Sequence, residues 1–232
     1  MRGRKFLLAS LGLALAWTYA GTAHAMFVNG SFETADYNGW TLEVDSSTTW
    51  GIAKTGQTIS AGDNVFDFAT GSPVVQFSPG LPRTYFPSHG NNMALQLQSA
   101  PGTQRMFQDI LLSVSASELS WDMFYNNKNP GFNPNQFLAV YLRDTSNLLL
   151  DTLFLTMPGD VAEIAMTSFS SDVSAYAGKT VRLDVTLVTK VFFLDAGFDN
   201  FRIATVSVPE PASAALLGLS LLGFGLRKRR LR

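Results

Sequence analysis

The sequence contains no cysteine and only two histidines, His24 and His89. The lack of cysteine excludes disulfides and thiolate metal sites, and so few imidazoles make a histidine zinc site difficult to build. The chain also lacks a Gly-x-Ser-x-Gly elbow, a His-Glu-x-x-His segment and a phosphate-binding glycine loop. These absences favour a protein that is not an enzyme. Glycoside hydrolysis is the less favoured alternative. It requires two catalytic carboxylates, and only the distance between them distinguishes such a pair from ordinary surface charge.

Charged residues are scarce, at 15% of the chain, and they are unevenly placed. Residues 26–208 hold nine Lys and Arg against seventeen Asp and Glu, which gives −8, whereas the whole chain has a net charge of −1. An acidic region repels nucleic acid and anionic membranes. It remains compatible with divalent cations and with neutral polysaccharide, so nucleic acid is not a predicted partner.

Long apolar runs occur at the two ends of the chain. At the N-terminus, residues 2–5 carry three positive charges, residues 6–16 are apolar, and Ala23 and Ala25 fit the small-x-small rule of a signal-peptide cleavage site. We therefore predict a signal peptide over residues 1–25. An uncleaved anchor is the alternative, but the apolar run is short for a membrane span.

The C-terminus has three consecutive parts. Pro209, Glu210 and Pro211 precede an apolar run over residues 212–226. A fifteen-residue helix is about 22 Å long, less than the roughly 30 Å of a hydrocarbon core, so it would be a marginal span. The basic end would keep the terminus on the cytoplasmic side of the membrane. Its charged residues are Arg227, Lys228, Arg229, Arg230 and Arg232.

This order of motif, short apolar helix and basic end resembles the PEP-CTERM sorting signal of Gram-negative bacteria that make exopolysaccharide. The resemblance implies that an exosortase recognises residues 208–232 and removes them, and that the protein works in the cell envelope or extracellular matrix. Before processing, the helix would anchor the protein transiently in the inner membrane. An ordinary C-terminal anchor that is never cut is the alternative.

The region between the two ends, residues 26–207, is predicted to form one all-β domain. Apolar and polar residues alternate over residues 93–98, 119–125 and 181–187, as half-buried strands require. Further β-rich runs are separated by Gly, Pro, Asn and Asp, and no long amphipathic helix is apparent. Those runs cover residues 39–44, 64–68, 74–77, 107–112, 136–142 and 148–155.

Residues 27–33 (FVNGSFE) with Gly39-Trp40, and residues 172–183 and 198–203 near the other end, resemble the first and last strands of galactose-binding-like and carbohydrate-binding jelly-roll modules. The resemblance implies a single jelly-roll β-sandwich. It also implies one structural Ca²⁺, with Glu33 and Asp199 as side-chain ligands. Solvated carboxylates at strand ends are the alternative, and Asn200 departs from the doubled acidic pair of some relatives.

Two loop segments, residues 81–86 and 125–133, mix aromatic side chains with amides, a combination that suits sugars. The candidate carbohydrate-binding residues are Tyr85, Tyr125, Asn127 and Phe132. The alternative is that these aromatic side chains cap the core, as we expect of Trp40, Trp50 and Trp121. The predicted function is exopolysaccharide binding outside the inner membrane, with a structural or adhesive protein contact as the competing class.

Overall fold

The computed structural model describes residues 26–45, 48–98 and 100–206, and their main feature is a pair of stacked antiparallel sheets. In spatial order, the first sheet consists of β1 (Thr41–Val44), β8 (Gly102–Leu111), β13 (Thr180–Thr189), β10 (Gln136–Arg143) and β11 (Leu149–Leu155). The second consists of β12 (Glu163–Asp172), β9 (Ala116–Asn127), β14 (Leu194–Thr205), β7 (Asn92–Gln98) and β2 (Thr48–Lys54). The predicted all-β sandwich is confirmed.

Four short strands form two additional ribbons. They are β3 (Thr58–Ile59) with β6 (Arg83–Thr84), and β4 (Asn64–Asp67) with β5 (Ser72–Val75). Helical structure in the described residues is confined to one 3₁₀ turn, Ser174–Tyr176, and no described helix is long and apolar enough to cross a membrane. The predicted signal peptide and the sorting tail from residue 208 onwards lie outside the described residues.

The main core lies between the two sheets and is built by alternation along their strands. Leu138, Val140 and Leu142 of β10 face inward, because successive side chains of a strand point to opposite faces. The predicted core positions of Trp40, Trp50 and Trp121 are confirmed, at 7%, 0% and 0% exposure.

Residues 27–33 differ from the expected opening strand, because they form turns. Asn29 and Phe32 have φ values of 52° and 54°, in the left-handed region that a strand does not use. The turn places Phe32, which is fully buried, against the rings of Trp40 and Tyr37, with centroids 5.6 Å apart in both cases. The segment therefore closes the end of the core without joining a sheet.

A third layer covers the outer face of the second sheet. Met93, Leu95 and Leu97 of β7 point away from the main core and pack in a second cluster with Ile59 of β3 and with Tyr85, which follows β6. This second cluster therefore lies outside the two stacked sheets, on the outer face of the second one.

Two buried carboxylates of β14 hold the covering segment. Asp195 accepts a hydrogen bond from Ser78 Oγ and another from Gln98 N at 3.2 Å. Asp199 accepts from His89 N at 2.8 Å. Burial raises the pKa of each carboxyl to about 6, against the opposing effect of these hydrogen bonds.

We expect Asp195→Asn to become more favourable relative to the wild type as the pH rises. A carboxyl whose folded pKa lies above its unfolded value adds stability at low pH, and that stability is lost as the pH rises through about 6. The unfolding free energy of the variant minus that of the wild type should therefore increase by about 1 kcal/mol from pH 5 to pH 7. Urea titrations at the two pH values measure it, and a pH-independent difference would contradict the assignment.

Candidate functional site

The outer face of the first sheet carries charged and aromatic side chains. In one row across the sheet, Asp184 of β13 lies between Phe107 of β8 and Tyr141 of β10. Arg105 and Arg143 belong to the neighbouring rows and reach the same carboxylate. We call these residues, together with Phe137 of β10, the arginine face.

The carboxylate of Asp184 is fully buried although its strand position faces outward. Arg105 Nη2 and Arg143 Nε donate to its Oδ2 at 2.7 and 2.6 Å, and Thr186 Oγ1 donates to its Oδ1 at 2.9 Å. Burial lowers the pKa of Arg105, but its hydrogen bonds to Asp184 and Glu43 and the charges of the two carboxylates together outweigh burial and raise it. The two guanidinium groups are thereby fixed over the sheet.

Aromatic rings lie beside these guanidinium groups. Arg143 lies 4.8 Å from the ring centroid of Tyr141, and Arg105 lies 5.2 Å from that of Phe107. Arg182 lies 4.2 Å from the Phe107 ring and is paired with Asp109. Such contacts orient both the rings and the cations.

The positive charges of this surface are balanced. Arg105 also pairs with Glu43, so the three arginines are matched by Glu43, Asp109 and Asp184. The surface therefore presents fixed hydrogen-bond donors without a net positive charge.

A hollow of about 410 Å³ adjoins the arginine face at the β10–β11 edge. We call it the β10 hollow; its lining includes Asn133, Pro134, Phe137, Tyr141, Met157 and Pro158. Its volume is within the range of small-molecule sites, about 300 to 1,000 Å³. Burial raises the pKa of Tyr141, so its hydroxyl stays protonated and can both donate and accept a hydrogen bond.

Three of the four predicted carbohydrate-binding residues are not among those that line this hollow. Tyr125 and Phe132 are each 3% exposed and pack edge to face, with centroids 5.5 Å apart. Asn127 is also buried and accepts a hydrogen bond from Gln136 Nε2 at 3.0 Å. Their expected role as a sugar platform needs correction, because the 127–136 loop folds back over them; they support the loop that carries Asn133 and Pro134.

Tyr85, the fourth predicted residue, lies in the third layer. It is 2% exposed and packs against Phe124, with ring centroids 6.0 Å apart. It lines a separate hollow of about 300 Å³ together with Arg83 and the exposed ring of Phe86. Because its ring is buried, Tyr85 does not present the open aromatic face that was expected.

Arg105, Arg143 and Asp184 were not among the site residues predicted from the sequence. The sequence does contain a signal for them. Their charged side chains fall at the outward positions of strands, where most residues of a sheet face are apolar or weakly polar. Phe137 and Tyr141 were missed for another reason. They lie in an apolar run, 136–142, in which alternation does not distinguish the two faces.

Glu33 and Asp199, the predicted calcium ligands, both bind the segment 88–92. Glu33 Oε1 accepts hydrogen bonds from the backbone N–H groups of Asn91 and Asn92, at 2.9 and 2.8 Å. Asp199 binds the N–H of His89, two residues before the first of these. Gly90 has a φ of 69°, and a Cβ there would overlap the Glu33 carboxylate.

This arrangement does not fit calcium. Calcium requires six to eight oxygen ligands, whereas the groups facing both carboxylates are N–H and hydroxyl donors. Residues 26–206, as far as they are described, contain no group of three or more acidic or histidine side chains that could hold a metal ion. The two carboxylates instead hold a loop against the sandwich.

Asp122 and Asp199, on neighbouring strands, converge on one hydroxyl group. Ser88 Oγ lies 2.7 Å from Asp122 Oδ2 and 3.1 Å from Asp199 Oδ2. The two residues are 4% and 0% exposed. The pair is therefore not placed to contact a polymer as a hydrolase pair would be.

The comparisons with known proteins concern the tail and the architecture separately. Residues 207–230 match the model of the PEP-CTERM protein-sorting motif, which confirms the resemblance of the tail and implies processing by an exosortase. No curated protein matches the sequence. The chain thus carries the sorting motif of an exported protein at its C-terminus.

The solved structures similar to this chain include carbohydrate-binding modules and an adhesin domain. TmCBM61 in complex with β-1,4-galactotriose has 9% identity and a TM-score of 0.46, over 78% of this chain and 98% of that one. The K3 cleaved adhesin domain of Lys-gingipain from Porphyromonas gingivalis has 12% identity and a TM-score of 0.46, over 77% and 98%. The CBM22-1–GH10 modules of Clostridium thermocellum xylanase 10B, complexed with xylohexaose, have 14% identity and a TM-score of 0.41, over 82% and 30%.

We expect Asp184→Asn to lower the unfolding free energy by about 2–3 kcal/mol, because it leaves two partly buried guanidinium groups without their carboxylate. Asp109→Asn is the matched control. Its side chain is 40% exposed in its pair with Arg182, so its loss should be under about 1 kcal/mol. Equal losses in chemical denaturation would argue against a special role for Asp184.

Removing calcium should leave stability unchanged. The melting temperature of the full chain should be the same in excess EDTA as in excess CaCl₂, since N–H donors already satisfy the carboxylate oxygens of Glu33 and Asp199. An increase in melting temperature with calcium that Glu33→Gln abolishes would contradict this conclusion.

Proposed function

We propose that the exported domain binds a neutral polysaccharide along the arginine face and the β10 hollow. The observation that carries the proposal is the pair of half-buried rings of Phe137 and Tyr141, which lie on the same face of β10. Four residues along a strand place them about 13 Å apart. Rings held at such a spacing offer two stacking surfaces to an extended chain of sugar units.

The polar groups beside the rings suit the recognition of hydroxyl groups. Arg143 uses its Nε for Asp184 and its Nη1 for the carbonyl of Asn147, at 3.3 Å. The other guanidinium N–H groups of Arg143 and the Tyr141 hydroxyl supply further hydrogen bonds. Since Asp184 fixes the guanidinium, little conformational entropy is lost when a ligand binds.

The charge distribution supports a neutral ligand. The arginines of the face are paired with carboxylates, and residues 26–208 carry −8. A polymer rich in uronate or sulfate would be repelled by the domain as a whole and would find no unpaired guanidinium on this face.

The sorting motif supports a location for this binding outside the inner membrane. Export and exosortase processing would bring the domain to the cell envelope or the exopolysaccharide matrix, after transient anchoring in the inner membrane through residues 212–226. A neutral matrix polysaccharide made by the producing cell is then the nearest available ligand.

Tyr141→Ala tests the proposal. The full chain is purified in a detergent without a sugar head group, so that the detergent does not compete for the site. We expect its retardation in native gels containing the producing cell's own soluble exopolysaccharide to weaken about tenfold, which corresponds to about 1.4 kcal/mol for the loss of one stacking ring.

Phe77→Ala is the matched control, because Phe77 is 64% exposed and belongs to neither the arginine face nor the β10 hollow. It should migrate as the wild type does. Circular dichroism melts establish that both variants are folded. Unchanged retardation of folded Tyr141→Ala would overturn the proposed site, and absence of retardation of the wild type would overturn binding of that polymer.

A further inference from the structure

A further hollow, distinct from the β10 hollow and from the one beside Tyr85, lies between the end of β2 and β4. It has a volume of about 520 Å³, and we call it the β4 hollow. Its lining includes the apolar side chains of Ile52, Phe66 and Phe68 and the polar side chains of Lys54, Gln57 and Asn64. It thus combines aromatic rings with amides, the combination that was expected of the loops 81–86 and 125–133.

Alternation along β4 explains why its aromatic ring is open. Val65 and Asp67 face inward, where Val65 joins the second core cluster and Asp67 Oδ1 accepts from Trp50 N at 2.9 Å. Asn64 and Phe66 therefore share the outward face. Phe66 is 48% exposed, and edge-to-face contact with Phe68, at 5.0 Å between centroids, fixes its ring.

The polar side of the β4 hollow is also held in place. Gln57 Oε1 accepts from Lys54 N at 2.9 Å, and Gln57 N donates to Lys54 O at 2.9 Å. These bonds fix the turn and leave the two Nε2 hydrogens of Gln57 for a ligand. Exposed Asn64 adds a second amide on the strand that carries Phe66.

The two hollows lie at opposite corners of the sandwich. The β10 hollow adjoins β11, an edge of the first sheet, and β11 lies over β12, since Phe154 and Phe169 pack with centroids 5.1 Å apart. The β4 hollow adjoins β2, which is the other edge of the second sheet. Both the sheet and the edge therefore differ, so the two hollows are separate sites on the surface.

We infer that the domain is divalent: the β4 hollow binds a second strand of the same neutral polysaccharide, and one protein molecule cross-links two strands. This inference rests on the proposed function of the arginine face. Cross-linking by a single domain would turn a binding protein into a structural component of a matrix.

Light scattering tests cross-linking separately from binding. The full chain is taken from the size-exclusion fraction with one chain per sugar-free detergent micelle, because a micelle with two chains would itself be divalent. When the wild type is titrated into the soluble exopolysaccharide of the producing cells, the scattered intensity should rise to a maximum as strands are cross-linked. It should fall again in excess protein, because each strand is then saturated by molecules that bind no second strand.

Phe66→Ala should reduce the maximum scattering at least about tenfold while the variant is still retarded in polymer gels, since the arginine face remains. Phe77→Ala should scatter as the wild type does. If Phe66→Ala proves unfolded by circular dichroism, Asn64→Ala takes its place, because the Asn64 side chain is exposed.

The outcomes separate the two proposals. Wild-type scattering by folded Phe66→Ala, or by folded Asn64→Ala where that variant is used, overturns the second site and leaves the arginine face untouched. Scattering that is absent from the wild type, with retardation intact, overturns divalence. Loss of retardation through Phe66→Ala but not through Tyr141→Ala would instead overturn the proposed function of the arginine face.

Discussion

The ion network around Asp184 is the interaction on which the candidate binding surface depends. A carboxylate without solvent contact is costly unless it is paired and hydrogen-bonded, and here two arginines and Thr186 supply the partners. The same bonds hold the guanidinium groups beside Phe107 and Tyr141. A buried charge at an outward strand position thereby becomes a rigid surface of planar groups, which a mobile arginine on a solvated sheet would not provide.

The layered architecture determines which surface is open. Asp195 and Asp199, two residues of one strand pointing away from the main core, hold the long 76–92 connection over the second sheet. That connection also brings the β3–β6 ribbon onto β7 and creates the second core cluster. The first sheet has no comparable layer among the described residues, so the rings of Phe137 and Tyr141 stay half-buried and Arg143 stays partly exposed. The β4 hollow lies elsewhere, beside β2 and β4.

Much of the architecture could be predicted from the alternation of apolar and polar residues along the strands. The candidate site could not be predicted in this way. Strands such as β7 and β13 alternate strictly, so one face had to be buried. β12 was not predicted because its Ser-rich sequence has few β-branched or large apolar residues. Loop aromatics such as Phe132 were expected at the surface, but a loop that folds back buries them. The contact of Arg105 with Asp184 joins residues 79 positions apart, and local pattern does not register such pairing.

The most direct test of the account is hydroxyl-radical footprinting of the full chain with and without the producing cell's soluble exopolysaccharide. Met157 and Tyr141 line the β10 hollow, whereas Met26 is 77% exposed elsewhere and corrects for radicals consumed by the polymer. The account predicts that oxidation of Met157 and Tyr141 falls relative to that of Met26 when the polymer is bound. Bound polymer with an unchanged ratio of Met157 to Met26 oxidation would contradict it.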